Sequence, residues 1–101
     1  MDLNYFEHQI IDELQGAKDY IQRAIEIKPM SPKWGKFFFE MSSQEAQHAE
    51  NLYSMFNEYC SKVTGSFDEV PSYIQDMREY ITKTYTEEMS MIKNMHSIYK
   101  D

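Results

Sequence analysis

The chain has little to turn with. Among its 101 residues, glycine and proline number three each, which excludes loop-rich architectures and argues for long helices joined by few turns. One cysteine, Cys60, is too few for an internal disulfide, so a reducing compartment is the simpler setting. Basic residues are also scarce. The formal charge of -7 disfavours nucleic acid and anionic membranes, both of which demand clustered Lys and Arg; it suits cations. No apolar run approaches the roughly 20 residues that span a bilayer, and the opening MDLNYFEHQ lacks the basic and apolar regions of a signal peptide. The expected setting is soluble and intracellular.

What is present is helical patterning. Breakers fall in two places, KPMSPK at 28–33 and TGSFDEVPS at 64–72, and they divide the chain into helices of about 3–28, 33–62 and 72–99. Ser31 before Pro32 reads as an N-cap with proline at the first helical position. Ser72 with Gln75 reads as a capping box. The fold class is all-α, an antiparallel three-helix bundle in one domain over residues 1–101.

Alternating steps of three and four trace one stripe on each helix. The first runs Leu3, Phe6, Ile10, Glu13, Ala17, Tyr20 and Ala24. The second runs Trp34, Phe38, Met41, Glu45, His48, Leu52, Met55 and Tyr59. The third runs Ile74, Met77, Ile81, Thr84, Glu88, Met91, Met95 and Ile98. Each stripe is interrupted near its middle by a carboxylate, joined once by an imidazole. With turns centred near Ser31 and Phe67, Glu13 and His48 lie about equally far from the first turn, and Glu45, His48 and Glu88 about equally far from the second. The four are therefore expected in one layer. His8 and His96 fall off the stripes and are expected to face solvent, Met89, Met91 and Met95 read as core filler, and KFFFEM carries more aromatics than one buried face requires, so another subunit is expected to cover Phe37 or Phe39.

Three carboxylates buried without partners would protonate or unfold the bundle. A divalent metal compensates them best, and acids with one imidazole suit iron, manganese or zinc. The i, i+3 spacing of Glu45 and His48 aims both at one point. The metal-ligand candidates are Glu13, Glu45, His48 and Glu88.

DELQGAKDYIQRAIE at 12–26, followed by FFFEMSSQEAQHAENLY at 37–53, resembles the first helical hairpin of the ferritin-like superfamily, especially rubrerythrin-type proteins and the small encapsulated ferritins. The resemblance to small ferritin-like proteins of phages and prophages extends into EEMSMIKNMHSIYKD at 87–101. It implies a di-iron centre with Glu13 as the single-Glu ligand, Glu45 and His48 as the Glu-x-x-His pair, and Tyr20 close to the metals. Glu45 would bridge, which makes Glu45 and Tyr20 the catalytic candidates for ferroxidase or peroxide-reducing chemistry. The pattern departs where a second Glu-x-x-His belongs, because Glu88 is followed by Met89, Ser90 and Met91. Pairing two hairpins about a two-fold axis would restore the full set and a four-helix-type bundle, as in encapsulated ferritins. Alternatively, Glu88 completes a poorer one-chain site, or the site is a relic.

Two functions follow from the resemblance. One is a di-iron protein that forms a homo-oligomer built on a dimer, in the cytoplasm or inside a protein shell. The other is a non-catalytic helical scaffold associated with a phage particle, since fold does not fix function.

Overall fold

The computed structural model describes residues 2–66 and 69–101 as three helices, α1 (Leu3–Ile27), α2 (Pro32–Thr64) and α3 (Ser72–Lys100). Phe67, the expected centre of the second turn, lies outside the described residues. Asp2 caps α1 by accepting from the Tyr5 N–H at 2.9 Å. Ser31 caps α2 through the Trp34 N–H, with Pro32 at the first helical position as its fixed φ favours. The expected capping box on α3 does not form. Pro71 occupies the cap position and Ser72 is already helical, while the Gln75 side chain donates to the Val70 carbonyl at 3.3 Å.

The helices form a rod with extents of 58 × 19 × 16 Å. Phe6 near the start of α1 meets Phe56 and Tyr59 near the end of α2, and Phe39 near the start of α2 stacks on Tyr99 at the end of α3. Both pairings are antiparallel, as expected. Phe6, Ile10, Leu14 and Ala17 of α1 pack with Ala49, Phe56 and Cys60 of α2 and with Ile81, Met89 and Ile92 of α3. Cys60 is buried, and burial pushes its thiol above the usual range, so it serves as packing.

The buried line of α2 is turned by one residue from the expected stripe. It runs Gly35, Ser42, Ala49, Phe56 and Cys60, about 100° round the helix from Trp34, Met41, His48, Met55 and Tyr59. Gly35, Ser42 and Ala49 are too small to register as an apolar stripe, yet smallness is their role: α1 approaches closely there. A Cβ at Gly35 would lie 3.1 Å from Lys28 Cα and 3.4 Å from the Ala24 carbonyl. The displaced side chains stay open, with Trp34 48% and Met55 43% exposed. On α3 the core similarly takes Met89 and Ile92, leaving Met91 and Ile98 exposed.

His96 does not face solvent. It sits 2.8 Å by Nε2 from the fully buried Ser42 hydroxyl, which also contacts the Ala17 carbonyl at 2.6 Å. A carbonyl only accepts, so Ser42 donates to Ala17 and His96 Nε2–H donates to Ser42. One serine thus joins all three helices. Phe39 covers the imidazole, with ring centroids 4.8 Å apart, and also stacks on Tyr99. Phe39 is therefore covered from within the chain, while Phe37 remains 44% exposed.

Two outcomes are expected. Gly35→Ala should cost about 1–3 kcal/mol in thermal or urea unfolding, because backbone opposes the added methyl. Burial first, and the Lys100 charge second, hold His96 below the usual histidine range. A pKa lowered by folding stabilises the neutral form, so this contribution is intact above about pH 6.5 and is lost as pH falls through that value towards the folded pKa. Wild type should lose stability relative to His96→Gln between pH 7 and 5.5; parallel stability curves would remove His96 from the account.

Candidate metal centre

Glu13 lies mid-way along α1, on the side that meets α2. Glu45 and His48 lie one turn apart on α2 and lean towards it. The three offer ligand atoms that all lie within 4.8 Å of one another. Glu13 Oε2 approaches His48 Nδ1 to 3.4 Å. That is ion-pair range without hydrogen-bond alignment, and Oε2, though sealed from solvent, receives no hydrogen bond. The Glu13 side chain is 24% exposed and that of His48 56%, so the cluster is closed on the α1 side and open at His48.

Glu45 is held above the usual carboxylate range. The hydrogen bond that its protonated form makes to Glu13 is the main cause, followed by burial and by the Glu13 charge, with His48 pulling the other way. Two acids crowded together with an orphaned oxygen are an arrangement that a cation would relieve. The donors, two carboxylates and an imidazole, fit a divalent metal of the iron, manganese and zinc group, and the exposed side at His48 leaves room for further ligands.

The structure does not bring Glu88 to this cluster. Its carboxylate pairs with Lys18 at 3.3 Å. The reason is helical phase: α3 meets α1 along Ile11, Leu14 and Gln15, opposite Tyr80, Thr84 and Glu88, and Leu14 points about 100° away from Glu13. Against α2, the α3 side takes Ala46, Gln47 and Glu50, one step or more round from Glu45 and His48. Height along the rod was a sound guide to which residues share a level, but it carries no information about azimuth. Tyr20 lies two turns from Glu13 along α1 and packs its ring against Phe38, with centroids 6.2 Å apart.

One neighbour of the site escapes a reading of apolar stripes. Gly16 stands directly over Glu45: a Cβ there would meet Glu45 Oε2 at 3.3 Å. A lone glycine in a helix interior is the signal that could have marked it.

Neither the curated proteins nor the solved structures offer a significant match to this chain. The family model described as Rubrerythrin matches residues 4–101, nearly the whole sequence and all three helices. The chain belongs to the rubrerythrin family of the ferritin-like superfamily.

Proposed function

We propose that this is a ferritin-like iron protein in which Glu13, Glu45 and His48 hold the metal, and that two copies pair through the exposed side of their α1–α2 hairpins to complete one di-iron centre. The observation that carries the reading is the sealed, unpartnered Oε2 of Glu13, within 4.8 Å of ligand atoms from Glu45 and His48. Membership of the rubrerythrin family supports iron; manganese and zinc fit the same donors.

The described residues of one chain supply three such ligands, too few for two metals. Carboxylate di-iron bundles use a Glu from each of two helices and a Glu-x-x-His from each of two others. A two-fold axis beside the hairpin doubles Glu13, Glu45 and His48 into that set. The exposed Trp34, Phe37 and Met55 lie on the same flank of α2 as His48, and apolar side chains beside an incomplete site support a partner of the same kind. When bound, iron would pass electrons from ferrous ions to dioxygen or peroxide, which is oxidation of the iron and reduction of the oxidant in one exchange. Glu45, whose ligand atom lies within 4.8 Å of those of both Glu13 and His48, would be the carboxylate shared between metals. Glu13 and His48 would each hold a single metal, and the exposed edge at His48 would admit it.

Anaerobic loading with ferrous iron or Mn²⁺, followed by removal of excess metal and elemental analysis, should give about two ions per pair of chains, with the mass by light scattering rising from one chain to two. A chain that stays metal-free and monomeric under those conditions overturns the proposal. Glu13→Gln should abolish uptake while raising metal-free stability by about 1 kcal/mol, since an amide can donate to Glu45 where a carboxylate cannot. A stability loss in the presence of chelator would instead mark Glu13 as a structural acid and favour the scaffold function.

A further inference from the structure

The chain has two helix-interior glycines, and they answer to different neighbours. Neither has a positive φ, so backbone conformation requires neither of them. At Gly35, an added Cβ meets Lys28 Cα, Lys28 Cβ and the Ala24 carbonyl at 3.1–3.4 Å, which is the wall of the helical hairpin itself. At Gly16 the three nearest atoms all belong to one side chain: Glu45 Oε2 at 3.3 Å, Cδ at 3.5 Å and Cγ at 3.6 Å. No backbone stands in the way. Packing of α1 on α2 therefore leaves room for alanine at position 16, and alanine would improve α1 by about 1 kcal/mol in intrinsic propensity.

From this we infer that Gly16 is a positioning residue for Glu45. It leaves a notch on α1 in which the Glu45 carboxylate lies, one turn from Glu13 on the same helix. The contact distance is tighter than ordinary van der Waals packing, so a methyl at position 16 shifts the carboxylate by a few tenths of an ångström or turns it to another rotamer. Displacement away from α1 alters the distances among the three ligand atoms that now lie within 4.8 Å. Metal affinity depends on such placement, and residues that only orient a ligand commonly carry about 10- to 100-fold of it. The helix forgoes its best residue at this position, and the benefit falls to the side chain of Glu45.

This inference rests on the metal-site reading above, and its test separates the two. Wild type, Gly16→Ala, Glu45→Asp and the double variant are compared by Co²⁺ titration, read by visible absorption, and by thermal unfolding in chelator. Gly16→Ala should unfold at the same or a higher temperature than wild type when metal-free, yet bind Co²⁺ about tenfold more weakly with a shifted absorption spectrum. Glu45→Asp withdraws the carboxylate by one methylene, so Gly16→Ala should add little further loss in that background. Co²⁺ affinity within twofold of wild type and an unchanged spectrum in Gly16→Ala overturn the role of Gly16 alone. Wild type that binds no Co²⁺, Mn²⁺ or ferrous iron overturns the metal reading and this role with it.

Discussion

The close approach of α1 and α2 is the constraint from which the other features follow. Gly35, Ser42 and Ala49 recur at seven-residue intervals along the buried line of α2, and side chains that small let the two helical backbones draw together. With the axes so near, the positions beside the seam are forced outward, and those positions carry Glu45 and His48. Glu13 meets them from α1. The same closeness brings the Ala17 carbonyl to the Ser42 hydroxyl at 2.6 Å, which would be out of reach across a seam of leucines. Polar convergence and tight packing are two results of one choice of residue size.

The polar cluster opposes the stability of the rod that holds it. A sealed carboxylate oxygen without a donor costs free energy in the metal-free chain, and Glu45 is driven towards its protonated form by its neighbour. The aromatic contacts elsewhere offset that strain. Tyr53 and Tyr85 stack at 4.0 Å with their planes 9° apart, Phe6 meets Phe56 and Tyr59, and Phe39 meets Tyr99. These pairs fasten α3 and both ends of the hairpin. The middle level of the α1–α2 hairpin is left free to hold charge.

Much of this was legible in the sequence, and the failures share a cause. Helix number, approximate bounds, the Ser31 cap and the convergence of Glu13, Glu45 and His48 follow from periodicity and level, both of which depend only on rise per residue. Azimuth is different. Whether Trp34 or Gly35 faces the core is decided by which neighbour comes closest, and a scan for large apolar residues favours Trp34, when the tight interface selects Gly35. The same one-residue rotation explains His96, which an apolar stripe excludes and a hydrogen bond to Ser42 retains. It also explains Glu88, whose level was right and whose side of the bundle was wrong. The expected capping box at Ser72 failed for a local reason: Pro71 already supplies extended geometry at φ -57, ψ 141, and the helix begins one residue later.

The Ser42 junction has a further consequence in the traffic of protons. A hydroxyl has one hydrogen, and Ala17 takes it. The imidazole of His96 must therefore present a hydrogen on Nε2, which leaves Nδ1 as its only basic atom. Acid can reach the point where the three helices are tied together through that single nitrogen.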